Sequence, residues 1–292
     1  MLSLLAAQRQ VYIVPFPYDT GANMRGASLA PLALKKAGLR GEWMGPAAAE
    51  RGKMGERAGR EERVGIGKGT KITKSLRRGI GRAHASFSEA VGEGIPVLVG
   101  GDHSGAIGSV SASSLYCLQN GMRMGLLWCD AHADFNTPST SPTGNLHGMA
   151  LSVLCRDCLP DLFFGAGVQY SQIMQVGVRD EDAEEAERCL AAGIGRLPSG
   201  AAYEVGKWAE GFEAVHISFD VDCLDPSVAP GVSTPVQGGM LIEEAEAIFE
   251  AVKSASKVVG VDWVELNPVT DSESRTTKAS LSLLNTLLSP PI

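Results

Sequence analysis

The stretch Leu126-Leu127-Trp128-Cys129-Asp130-Ala131-His132-Ala133-Asp134 passes in one step from an unbroken apolar run to alternating acids and an imidazole. An apolar run this short, with no polar alternation, reads as a strand buried on both faces. The same grammar recurs on either side of it. Val97-Leu98-Val99 runs into Gly100-Gly101-Asp102-His103-Ser104, and Ile217-Ser218-Phe219 runs into Asp220-Val221-Asp222. A strand through Val261 runs into Val264-Glu265-Leu266-Asn267-Pro268. Residues 11–14 and 173–177 read as two more buried strands, the first stopped by Pro15. Helical patterns are expected over about 31–37, 72–91, 105–118, 182–192, 242–255 and 277–288. Apolar strands alternating with helices mean βαβ units, so the fold class is α/β: a central parallel sheet of about eight strands flanked by helices on both faces. In such sheets the ligand site lies beyond the carboxyl ends of the strands, which is where the polar clusters fall.

The whole chain bounds this reading. Its 292 residues, 44% hydrophobic and 20% charged, can bury a sizeable core, and whole-chain disorder is excluded. One domain is expected over residues 1–292, with a Gly-, Arg- and Glu-rich surface loop at about 41–70. Within that loop Gly65-Ile66-Gly67-Lys68-Gly69-Thr70 lacks phosphate-loop spacing and does not lie between a strand and its helix. A net charge of −7 argues against nucleic acid and anionic membranes as partners. No apolar run approaches the roughly 18 residues a spanning helix needs, and the N-terminus lacks a basic n-region. A cytoplasmic location is expected, with the six cysteines reduced. Cys155-Arg156-Asp157-Cys158 follows a helix-like stretch rather than opening one, so it reads as two ordinary thiols.

Residue spacing points to the chemistry. On an extended backbone alternate residues face the same way, so Asp130, His132 and Asp134 are expected to converge, as are Asp220 and Asp222. With His103 they supply two imidazoles and four carboxylates. Such an O/N set without thiolate suits Mn²⁺ better than structural zinc. Four carboxylates in one place need about two divalent cations to neutralise them. A lone Asp-x-Asp or a lone histidine would carry little, and His84 and His216 read as structural. Ser104 lies in no Gly-x-Ser-x-Gly elbow, so it is not read as a nucleophile.

These motifs resemble the ureohydrolase (arginase/agmatinase) family. The likeness rests on Gly100 to Ser104, Asp130 to Asp134, and Ser218-Phe219-Asp220-Val221-Asp222-Cys223-Leu224-Asp225-Pro226. It continues through Pro230-Gly231-Val232-Ser233-Thr234-Pro235 and Val264 to Pro268. The resemblance implies two Mn²⁺ per chain, one held by His103, Asp130, Asp134 and Asp220, the other by Asp130, His132, Asp220 and Asp222. Asp130 and Asp220 would bridge them, together with a hydroxide that attacks the guanidinium carbon. It further implies that Glu265 faces the guanidinium and that Asp134 carries a proton to the departing amine. Trimers or hexamers are common in the family, so a homo-oligomer is expected on that ground alone.

The segment after Asp134 resembles the arginase loop rather than the agmatinase one. By that likeness Asn136, Ser141 and Thr143 bind a substrate α-carboxylate, and His147 shuttles a proton or contacts substrate. Asp182 would receive the α-ammonium with Glu185 behind it, although Asp182 also reads as a helix N-cap. Thr234 joins the substrate-binding set. Thr143 stands where arginases usually have Ser, Ala150 where Pro is common, and Ala30 where Gly is usual; none is a metal ligand. The expected activity is hydrolysis of L-arginine to ornithine and urea. The nearest rival is an amidinohydrolase acting on agmatine, guanidinobutyrate or formiminoglutamate. A catalytically silent member is disfavoured by the intact ligand set and Glu265, and a zinc deacetylase-like enzyme by the two-metal pattern.

Overall fold

The computed structural model describes residues 9–44 and 72–290. Its strands are β1 (Val11–Pro15), β2 (Glu42–Trp43), β3 (Ile95–Val99), β4 (Met124–Cys129), β5 (Ile173–Val176), β6 (Gly195–Leu197), β7 (Ala214–Asp220) and β8 (Lys257–Val264). The helices are α1 (Ala30–Ala37), α2 (Lys74–Ala90), α3 (Ala106–Gln119), α4 (Ala150–Leu154), α5 (Ala183–Ala192), α6 (Ala202–Ala209), α7 (Ile242–Ala255) and α8 (Arg275–Leu288). The strands form one sheet in the order β2-β1-β3-β8-β7-β4-β5-β6. Every pairing is parallel.

Strand alternation splits the core into two layers. Leu98, Met124, Leu126 and Trp128 pack with Leu76, Ile80 and Phe87 of α2 and Val110 of α3. Val97, Val99, Leu127, Ile217 and Phe219 pack on the other face with Leu34 of α1, Val205 of α6, Phe249 of α7 and Leu284 of α8. Burial on both faces is why these strands are apolar at every position, and parallel crossovers put the helices on both faces. Among the described residues no helix is long and apolar enough to cross a membrane.

The expected strands and helices occur, with ends shifted by a residue or two. Three elements carried no sequence signal. β2 and β6 are edge strands of two and three residues, paired on one side only, so neither needs a continuous apolar run. α6 is short, giving too few turns for a period to emerge, whereas α4 is the helix-like stretch that precedes Cys155. The expected loop at 41–70 therefore opens with a strand; residues 45–71, including Gly65 to Thr70, lie outside the described residues.

The order brings β3, β8, β7 and β4 together at the centre. These are the four strands whose carboxyl ends run into polar clusters. Backbone closeness at this edge requires glycine at Gly101, where φ is +71° and a Cβ would lie 2.3 Å from the carbonyl oxygens of Phe16 and Tyr18. The Gly101 carbonyl accepts the Glu265 N–H at 2.9 Å. Gly101→Ala should lower stability by about 1–3 kcal/mol or more, through left-handed strain and overpacking together. Thermal melts of the two proteins check it.

Candidate metal centre and active site

His103 sits in a short 3-10 turn after β3, with its side chain wholly buried. Its Nδ1 lies 3.0 Å from Asp130 Oδ2, 3.1 Å from Asp134 Oδ2 and 3.2 Å from Asp220 Oδ2. Yet that nitrogen makes no hydrogen bond of acceptable geometry with any of them. A few ångströms away His132 Nδ1 lies 3.1 Å from Asp222 Oδ2 and 3.3 Å from Asp130 Oδ1. Two ligand groups result, His103-Asp130-Asp134 and Asp130-His132-Asp222, each able to hold a metal ion. Asp130 is common to both and presents one oxygen to each.

Electrostatics agree with a cation-seeking site. Burial and the neighbouring Asp130 push the Asp134 carboxyl up to about 6. Burial, then Asp222 and Asp130, raise Asp220 well above its usual value. Burial alone would lower both imidazoles, but the carboxylates around them drive His103 and His132 upward. An orphaned buried imidazole nitrogen ringed by crowded carboxylates fits divalent cations bound to oxygen and nitrogen. Asp134 must ionise and the imidazoles must lose protons before they can ligate. Mn²⁺ affinity should therefore fall as pH drops through about 6 and keep rising above it. Titrations of Mn²⁺ at several pH values check this dependence.

The convergence does not come from strand alternation, and that expectation is corrected. β4 ends at Cys129, and Asp134 has a left-handed φ of +50°. Asp222 lies in a 3-10 turn after β7. Each cluster is instead folded by an aspartate that accepts the amide two residues on: His132 N–H donates to Asp130 Oδ1 at 2.7 Å, and Asp222 N–H to Asp220 Oδ1 at 2.8 Å. Such local turns are what Asp favours at the end of an element.

Glu265 also has a left-handed φ, of +62°. Its Oε1 accepts the His103 N–H at 3.0 Å and faces His147 Nδ1 at 3.0 Å. Its Oε2 is buried without a partner. His147 is itself pushed up to about 9: burial opposes this, and Glu265 outweighs it.

A cleft of about 220 Å³ has Asp134, Asp220 and Asp222 in its floor and Asn136, Ser141, Thr143 and Asp182 on its walls. His132, His147, Glu185 and Thr234 also line it. Glu265 is buried behind His147 and does not line it. Ser141 Oγ accepts the Gly144 N–H at 3.0 Å and Thr143 Oγ1 the Asn145 N–H at 3.2 Å, and the two hydroxyls lie 3.5 Å apart, so one donates to the other and one hydroxyl hydrogen is left to donate outward. Asn136 Nδ2 donates to Asp182 Oδ2 at 3.0 Å, tying the two sides of the cleft together. Glu185 spends its oxygens on backbone, accepting from Phe135 N–H at 2.7 Å and from Asp182 N–H at 3.4 Å. It braces the loop that carries Asp134 against the start of α5. Thr234 donates its hydroxyl to Asp222 Oδ2 at 2.9 Å, so it orients an acid of the cluster.

Several site residues carried no sequence signal. Trp128 stacks on the His103 ring at 4.0 Å, and its Nε1 donates to Asp130 Oδ2 at 3.1 Å. Arg179 grips the backbone carbonyls of Asp222 at 2.8 Å and Val236 at 2.7 Å, holding the β7 end against the 234–237 loop. Asn23 and Asn145 line the cleft. For Trp128 and Arg179 the only clue was their closeness in sequence to Asp130 and to Asp182. Ser104, Cys155 and Cys158 are read as non-catalytic. Ser104 is wholly buried and donates its hydroxyl to Asp102. Cys155 and Cys158 are free thiols, each pushed upward by burial.

Comparison with known proteins bears on the same region. The Arginase family model matches residues 9–289. The arginase of Bacillus caldovelox is 30% identical over 300 residues, covering 96% of this chain and 98% of that protein. The crystal structure of arginase from Bacillus subtilis superposes with a TM-score of 0.79 at 26% identity, covering 96% of this chain and 99% of that one. Formimidoylglutamase from Bacillus subtilis, at 19% identity and a TM-score of 0.70 over 96% of this chain and 86% of that one, shares the fold.

Proposed function

Because the chain belongs to the arginase family of amidine hydrolases, we propose that it hydrolyses the guanidinium group of L-arginine, giving L-ornithine and urea, with two Mn²⁺ as cofactors. The observation that carries this reading is one cleft with two kinds of wall. Its floor is the acid and imidazole cluster, and its rim combines outward-facing hydroxyls with an aspartate. That combination suits a substrate with a guanidinium at one end and an α-amino acid head at the other.

Two divalent ions, held by His103, Asp130, Asp134, Asp220, His132 and Asp222, would supply the Lewis acidity that makes a water nucleophilic near neutral pH. The remaining work falls to this chain's own side chains. The unpartnered Glu265 Oε2 gives the delocalised guanidinium a counter-charge and orients its carbon toward the floor. Asp134 lies in that floor and can move a proton from the attacking water to the departing amine. His147, held by Glu265, can pass protons between that amine and solvent. The hydroxyl hydrogen left to Ser141 and Thr143 and the second amide hydrogen of Asn136 donate to the α-carboxylate, while Asp182 accepts from the α-ammonium.

The test is one panel of Mn²⁺-loaded protein with arginine, agmatine, guanidinobutyrate and formiminoglutamate, measuring urea and formamide separately. Urea from arginine should dominate. Formamide from formiminoglutamate, or urea mainly from agmatine or guanidinobutyrate, would replace arginine as the substrate. Activity should rise from mildly acidic to alkaline pH, because water on Mn²⁺ is acidified less than on zinc, where its pKa reaches about 7.

A further inference from the structure

Behind His103 lies a buried polar chain that the reaction itself does not use. His103 Nε2, the ring nitrogen turned away from the carboxylates, is 2.9 Å from Ser218 Oγ. Ser218 Oγ in turn donates to Asp262 Oδ2 at 2.9 Å. His216 Nε2 approaches that same oxygen at 3.1 Å as a charge contact without hydrogen-bond geometry, and His216 Nδ1 is 2.9 Å from Ser113 Oγ on α3. The side chains of His103, Ser218, Asp262, His216 and Ser113 are fully buried, so no water competes for these bonds.

Direction is the important property of the chain. A histidine that ligates a cation through Nδ1 must carry its hydrogen on Nε2 and needs an acceptor there. A serine hydroxyl alone is ambivalent, since it can either donate or accept. A carboxylate can only accept, so Asp262 claims the Ser218 hydrogen and leaves the serine oxygen to accept from His103. We infer that Asp262, acting through Ser218, is a positioning residue that fixes the His103 tautomer with its Nδ1 lone pair toward the metal. His216, itself bonded to Ser113, packs against Asp262 from the far side. This inference rests on the metal reading of the site.

The experiment measures Mn²⁺ binding to the full chain, unmodified and as Ser218→Ala, Asp262→Asn, the double variant and His103→Asn. In the unmodified protein two ions should bind. Both single variants should weaken by roughly 10–100-fold the same binding step that His103→Asn weakens, leaving the other step unchanged. The double variant should bind no more weakly than Ser218→Ala alone, because Asp262 has no other route to the ligand. Should Asp262→Asn not fold, Asp262→Ala takes its place in the same cycle. Unchanged affinity in the single variants, equal loosening of both ions, or additive losses in the double variant would each overturn the inference. Absence of Mn²⁺ binding to the unmodified chain would instead overturn the metal reading beneath it.

Discussion

Asp130→Asn should take the chain from two bound Mn²⁺ to one or none. Asp130 is the one residue shared by the two ligand groups found among the described residues, with Oδ2 3.0 Å from His103 and Oδ1 3.3 Å from His132. Its two imidazole neighbours hold it well below the usual carboxylate range against the effect of burial, so it offers a charged oxygen to each side. An amide has almost the same shape but no charge and a single acceptor oxygen. Asp220 belongs to neither group, but its Oδ2 lies 3.2 Å from His103 Nδ1 and the family likeness implies that it bridges, so Asp220→Asn should behave alike, whereas His103→Asn should weaken one step. Loss of a cation's charge stabilisation is worth several kcal/mol, so turnover should fall on the order of a thousandfold or more. Elemental analysis and calorimetric titration report the stoichiometry. Saturation of the unmodified chain at one ion, or tetrahedral zinc with cysteine, would refute the dinuclear assignment.

The second large effect concerns substrate choice. Arginine should be preferred over agmatine, which is the same molecule without the α-carboxylate. Ser141 and Thr143 each satisfy a backbone N–H and, being bonded to each other, keep one hydrogen between them to donate, beside the second amide hydrogen of Asn136. With agmatine bound, the hydrogen bonds to the charged carboxylate are lost, at about 1.5–3 kcal/mol for a buried donor such as Asn136 and less at the half-buried Ser141 and the exposed Thr143, which water can reach. Each such buried bond amounts to roughly a ten- to hundredfold difference in kcat/KM. The easier desolvation of agmatine offsets part of it. Asn136→Ala should narrow the gap, because it removes one amide donor and also frees Asp182 from its 3.0 Å bond across the cleft. Metal content should stay the same. Kinetics with both substrates decide it, and an unmodified enzyme that prefers agmatine would mean that the loop does not read a carboxylate.

How much of this was legible in the sequence differs from residue to residue. Leu126 to Cys129 announced a strand buried on two sides because burial acts on each residue locally, and the crossovers of a parallel sheet leave helical periods between such runs. Asp130, His132, Asp134, Asp220, Asp222 and His103 announced their chemistry because ligand character belongs to the side chain and its place at a strand end. The reason first given for their convergence was nonetheless incorrect. The residues leave the extended backbone where β4 and β7 stop, and they meet through aspartate turns and a left-handed Asp134.

The chain alone therefore determined an α/β sheet, the donor types and the edge of the sheet that bears them. The fold decided that β3, β8, β7 and β4 stand side by side, that Glu185 braces backbone, and that Thr234 orients Asp222. It also joined Ser218 to His103 across 115 positions and to Asp262 across 44. Local patterns record whether a residue is buried and in what kind of element. They hold no record of which distant element lies within a hydrogen bond's reach, because strand order and helix crossovers set that distance.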